Sequence, residues 1–280
     1  MAGTQARKPN WFVRLFRRPT TIPVVRLHGV IAAEQRPSRL NIESVEPLLK
    51  RAFDMRSAPA VAIVVNSPGG SPVQSRLISN RIRQLADETG KPVLVFVEDA
   101  AASGGYFIAV AGDEIIVDPS SIVGSIGVIM ATFGFVGALE KLGVERRVHT
   151  AGRNKSTLDP FLPEKSEDVE RIKRFELDIH QVFIDHVKRH RAGKLKADDD
   201  TLFTGEWWPG LRGVELGLVD TIGELHATLR ERYGRDIVLK PIAAKRPFFA
   251  LPRLGFSAAG VVDDVTTTID DRALWARLGL

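Results

Sequence analysis

The sequence predicts an α/β fold in which helices pack on a largely parallel sheet, and three observations lead there. Between residues 22 and 150, short β-branched runs alternate with amphipathic stretches, the pattern of repeated β-α-β units. One of those stretches carries both a helix start and a helix stop signal. Two of the apolar runs end in glycine turns, "PGG" at 68–70 and "SGG" at 103–105.

Taken in order, "IPVVRLHGVI" reads as a strand, "ESVEPLLKRAFDM" as mostly helix and "AVAIVV" as a buried strand. The stretch "VQSRLISNRIRQLADE" follows as a helix, with Ser71 as N-cap, Pro72 at the first helical position and Gly90 just past the end. "VLVFV" is the next strand and "YFIAVA" a short helix. "EIIVD", "SIGVI" and "VERRVHT" are expected to add further strands. A long helix is expected in "SEDVERIKRFELDIHQVFIDHVKRH", where Val169, Ile172, Phe175, Ile179, Val182 and Phe183 recur at helical spacing and need a cover, either the sheet or another subunit. The proline-rich segment 241–255 reads as an irregular connector, and "VVDDVTTTIDDRALWARLGL" as one more helix or strand on a partner surface.

Composition narrows the function. The chain has 280 residues, enough for one large domain, with 44% hydrophobic and 26% charged residues. No apolar run reaches the roughly 18 residues of a membrane-spanning helix. The formal charge of +5 is concentrated at the start, where Arg7, Lys8, Arg14, Arg17, Arg18 and Arg26 precede the first acid, Glu34. The body is near neutral, which argues against a nucleic-acid-binding face. In the leader, a helix through "WFVRLFRR" would set Trp11, Phe12, Val13, Leu15 and Phe16 opposite Arg14, Arg17 and Arg18. Residues 7–18 thus fit either an anionic membrane surface or a basic tail docked on its own protein. No signal-peptide pattern is present, so a cytoplasmic or membrane-peripheral location is expected. The sequence has no cysteine, which excludes thiol nucleophiles, disulfides and cysteine-ligated metals.

Serine is a weak nucleophile at neutral pH unless a base takes its proton and donors receive the oxyanion. Ser103 sits between a strand and an apolar helix, where it serves either as an N-cap or as a nucleophile. If the strands before the two glycine turns are neighbours, the Gly70 and Gly104 amides face one another as an oxyanion hole requires. The base has two readings. His149 ends an expected strand and would serve a histidine triad, while a desolvated Lys155, in "TAGRNKSTLDPF", would offer a neutral amine. His186 and His190, one helical turn apart, lack a third ligand and read as helix-surface or interface residues. "GRNKST" lacks the glycines of a phosphate-binding loop, and Ala101 stands where a nucleophile elbow wants glycine.

Four segments in order, "VNSPGGS", "AASGGYFIAVAGDEIIVDPSSIVGSIGVIM", "TAGRNKSTLDPF" and "GEWWPGLRGVELGLVD", resemble the signal peptide peptidase A family of serine peptidases, and within it the shorter SohB-like branch. The resemblance runs over residues 22–235, leaving 1–21 as a basic amphipathic leader and 236–280 as a C-terminal extension with a possible oligomer contact. It implies a ClpP/crotonase-like fold with a C-terminal helical region and a Ser-Lys dyad, with Ser103 as nucleophile and Lys155 as general base. It also implies oxyanion donors at Gly70 and Gly104, and a lysine-orienting hydroxyl at Ser125. No metal or cofactor is implied. Homo-oligomers enclosing the sites are, as are extended apolar peptide substrates such as signal peptides. Ser156 stands where many relatives have aspartate, and the family's membrane-anchoring helix has no counterpart in the sequence. The rival functions are a crotonase-type acyl-CoA enzyme and a non-catalytic scaffold of the same fold.

Overall fold

The structure, a computed structural model, describes residues 19–34, 36, 39–243 and 271–280. The leader through residue 18 and residues 244–270, which hold most of the proline-rich connector and the start of the final segment, lie outside the described residues. The chain opens with β1 (Thr21–His28), β2 (Val30–Ile31), β3 (Arg39–Leu40), α1 (Ile42–Phe53), β4 (Val61–Ser67) and α2 (Pro72–Thr89). It continues through β5 (Val93–Ala102), α3 (Gly104–Ala109), β6 (Glu114–Val117), β7 (Ile122–Gly124), α4 (Val136–Leu142) and α5 (Ser166–His190). Then come α6 (Asp199–Leu202), β8 (Trp207–Pro209), α7 (Gly210–Leu216), β9 (Thr221–Ile222), α8 (Leu225–Tyr233) and β10 (Val238–Pro241).

The main sheet runs in the order β10-β1-β4-β5-β6-β9, with every one of these pairs parallel. Parallel strands covered on both faces need apolar residues on both, and all seven residues of β4 are buried. One face carries Val25, Leu27, Ile63, Val65 and Val95 into the core shared with α1, α2 and α3. The other carries Val24, Ala62, Val64, Leu94 and Phe96 against Leu229 of α8. The α/β expectation is therefore met, as are the signals around α2. The Ser71 side chain accepts from the Gln74 amide, and Gly90 closes the helix in the left-handed region at φ 65°.

Two expected strands are absent. In place of a strand over 125–129, β7 covers 122–124 and ends at Ser125, whose φ of 53° takes it out of the extended region. Residues 144–150 have the composition of a strand but form none, because the segment projects from the body with no strand alongside it to accept its hydrogen bonds. The long helix α5 covers its predicted span. Its C-terminal half packs through Phe183, His186 and Val187, whereas Phe175 and Val182 farther up the expected apolar face are exposed.

Candidate active site

The site forms where three strands end together. Strand β5 changes neighbours partway along. Val93–Val97 pair with β4, and Leu94–Val97 also with β6; after an irregularity in register, Ala100–Ala102 pair with β7 and Ala101 aligns with Ser67. Asn66 bridges that irregularity. Its Nδ2 donates to Asp99 Oδ2 at 2.6 Å, and its Oδ1 accepts from the Ala100 amide at 3.2 Å. The carboxyl ends of β4, β5 and β7 thereby converge, which is where open parallel sheets place their ligands.

Ser103 follows β5 directly and has φ 50° and ψ −120°, a conformation that costs a non-glycine residue about 1–3 kcal/mol. Its backbone is held at both ends. The Ser103 amide donates to the Gly124 carbonyl at 2.8 Å, and its carbonyl accepts from the Phe107 amide at 2.9 Å. Its side chain makes no capping hydrogen bond, so the N-cap reading does not describe the hydroxyl. The strands before the two glycine turns are adjacent, and the turns touch. A methyl group built on Gly69 would lie 2.8 Å from Ser103 Cβ and 2.9 Å from the Gly104 nitrogen; one built on Gly104 would lie 3.3 Å from the Gly70 nitrogen. Gly104 opens α3, so its amide has no acceptor within the helix.

Ser103, Gly70 and Ser125 line one cleft of about 790 Å³, together with Gly127, His180 and Trp207. The His180 Nε2–H donates to the Ile126 carbonyl at 2.9 Å, tying α5 to the segment after Ser125. A second, smaller cavity of about 50 Å³ opens beside Ser103 and Gly104 and is walled by Phe107, Val128, Ile179, Val182 and Phe183.

Lys155 is elsewhere. It is exposed in a turn, where its amide donates to the Gly152 carbonyl at 3.2 Å, and it does not line either cavity that Ser103 lines. The turn belongs to an arm, residues 128–165, held together by stacking of Phe135 on Phe161 and by the Arg146–Asp159 pair at 3.0 Å. His149 is exposed on the same arm. Phe133 is 80% exposed and Leu142 75%, so the arm's apolar residues face outward. The structure brings Ser103, Gly70, Gly104 and Ser125 together and leaves Lys155 apart. The sequence assigns no role to His180 and Trp207, because only the docking of α5 and the β7–β8 pairing bring them to the cleft.

His186 differs from its sequence reading. It is buried, not on the surface, and its Nε2 lies 3.0 Å from the Phe107 carbonyl and 3.1 Å from Ser79 Oγ while its ring stacks on Phe107 at 3.8 Å. It thus supports the helix that begins directly after Ser103. Burial, then the neighbouring His190, push its pKa down to about 3 from 6.5. The folded state therefore resists a proton that the unfolded chain takes near 6.5, so stability is full above that pH and is lost as pH falls toward 3. Denaturant unfolding is expected to show a loss of roughly 1 kcal/mol per pH unit in that window, and His186→Gln to flatten it. Equal slopes for the two proteins would refute this role.

The comparisons with known proteins fall on this same body. The family model for peptidase family S49 matches residues 86–233. A Brucella abortus protein described as Na(+)/H(+) antiporter NhaA is 54% identical over 275 residues, 93% of this chain and 37% of that protein. Protease 4 of Haemophilus influenzae is 32% identical over 221 residues, 76% of this chain and 34% of that one. The chain thus spans about a third of the length of these relatives. Among solved structures, a mutant form of a 1510-N membrane-bound stomatin-specific protease superposes with a TM-score of 0.53 at 14% identity, covering 82% of this chain and all of that one. That likeness shows a shared α/β fold. Among the described residues no helix is long and apolar enough to cross a membrane.

Proposed function

The chain belongs to peptidase family S49, and from that membership we propose that it is a serine endopeptidase working through Ser103 and Lys155. The observation that carries the reading is the strained Ser103 held against the paired Gly70 and Gly104 turns at the end of a cleft. In this mechanism the neutral Lys155 amine takes the Ser103 proton as Oγ attacks a peptide carbonyl, and the two amides receive the oxyanion. The protonated amine then protonates the leaving nitrogen. Water, activated by the same lysine, releases the acyl group. The Ser125 hydroxyl holds the amine toward Ser103.

Lys155 has to reach the cleft, and the outward-facing apolar residues of the arm supply a reason for it to move. Phe133, Leu142 and Val144 on the arm and Phe175 and Leu177 on α5 are all exposed, and a second copy of the chain is proposed to cover them. Covering the arm removes water from Lys155, and a desolvated amine is more readily neutral and free to act as a base. Substrates are proposed to be extended apolar peptides, such as signal peptides, with a small aliphatic side chain in the 50 Å³ cavity. The antiporter name of the Brucella relative is not carried over, since among the described residues no helix is long and apolar enough to cross a membrane. An acyl-CoA enzyme of this fold would not need the Ser103 hydroxyl or Lys155.

Two variants test the coupling between base and assembly. Lys155→Met is expected to lose peptide hydrolysis by about 10³-fold or more. Phe133→Glu is expected to lower both the mass measured by light scattering and the activity, although Lys155 is intact. Full activity in a protein shown to be monomeric would contradict the need for a second copy.

A further inference from the structure

Residues 271–280 return to the body and build one wall of the Ser103 cleft. Three contacts fix them there. Asp271 pairs with Arg39 at 3.0 Å, with only a tenth of the arginine side chain and a fifth of the aspartate exposed. Trp275 stacks on His28, and Leu278 is buried with Ala100, Ala102 and Ile122. Residues 271–276 are helical, so positions 274, 277 and 278 share a face, and Leu274, Arg277 and Leu278 are the three that line the cleft.

Of the seventeen residues lining that cleft, Arg277 is the one with a permanent charge, and none is a carboxylate. Among the described residues no acid pairs with the Arg277 side chain. A guanidinium set in a neutral wall, beside apolar neighbours such as Pro72, Trp207 and Leu274, favours an anion, and its planar fork matches a carboxylate in particular. We propose that Arg277 is a specificity-determining residue that binds a carboxylate on a peptide lying in the cleft, either an acidic side chain or the peptide's own C-terminus. The proposal rests on reading the cleft as a peptide site.

Its test uses binding, so that it stands apart from whether Ser103 cuts. The Ser103→Ala chain is titrated with a fluorescent apolar peptide in which one Glu is walked along the sequence, each position compared with Gln, and each peptide made with a free or an amidated C-terminus. At one position, or at the free terminus, the acid is expected to bind about fivefold more tightly than the amide, with the preference shrinking at high salt. In Ser103→Ala/Arg277→Gln that ratio is expected to approach one; Arg277 is exposed, and equal melting temperatures check that the fold is kept. The position of the preference tells a side chain from a terminus. No acid preference anywhere, a preference that survives Arg277→Gln, or no binding by any peptide overturns the proposal. Failure of the parent protein to cut peptides it does bind overturns the peptidase reading instead.

Discussion

Ser103→Ala is expected to reduce hydrolysis of apolar peptides by about 10³-fold or more while leaving the fold and peptide binding in place. In the proposed mechanism the Oγ is the atom that forms the acyl bond, and two other serines near the turns are held differently. Ser125 lies after a different strand with its amide bound to the Glu206 carbonyl at 2.7 Å, and Ser75 Oγ donates to the Ser71 carbonyl at 2.8 Å. Alanine also fits the space that serine leaves, and it inherits the same φ of 50°. The comparison to make is kcat against melting temperature. A variant that keeps its melting temperature and its activity together would mean that the strain at this position serves something other than catalysis.

Gly70→Ala is expected to act on stability and rate together. Gly70 has φ 137°, where L side chains are strained, and a methyl group there would overlap the Ile31 carbonyl. That carbonyl is not free to move, because it accepts from the Ser71 amide at 2.7 Å while the Ile31 amide donates to the Gly69 carbonyl. The turn has to shift, and the Gly70 amide shifts with it. A loss of about 3 kcal/mol in unfolding free energy is expected. Where the variant remains folded, a fall of about 10²-fold in kcat should follow from the misplaced oxyanion donor. Gly90→Ala is the control. Gly90 also has positive φ, but a methyl group there meets nothing within 4 Å, so only a modest stability loss of about 1 kcal/mol is expected. If Gly70→Ala behaved like Gly90→Ala, the amide of residue 70 would have no part in the site.

Much of this arrangement is legible in the sequence, because local signals and burial patterns agree. The Ser71, Pro72 and Gly90 signals mark α2 correctly, and the apolar runs at 61–65 and 93–97 are the buried central strands. The pairing of "SPGG" with "ASGG" is readable because both turns follow strands of one parallel sheet, and those strands prove adjacent. What escapes the sequence depends on partners far away in the chain. The segment 144–150 has β-branched residues but no strand beside it, and a strand exists only as part of a ladder. His186 looks like half of a surface pair with His190 until α5 docks it against Ser79 and Phe107, residues about a hundred positions earlier. The same holds for residues 271–280, which reach the cleft through Arg39, His28 and Ala100, contacts that no periodicity encodes. Lys155 is the sharpest case. Its motif names it, yet small neighbours in sequence are no measure of desolvation, and in the isolated chain the turn that carries it is exposed.

Intact-mass spectrometry after treatment with a fluorophosphonate decides whether Ser103 is a nucleophile activated by Lys155. A single adduct per chain is expected, mapped by peptide digestion to Ser103, absent in Ser103→Ala and formed far more slowly in Lys155→Met. An adduct that persists in both variants, or peptide cleavage that continues with Ser103 replaced, would contradict it.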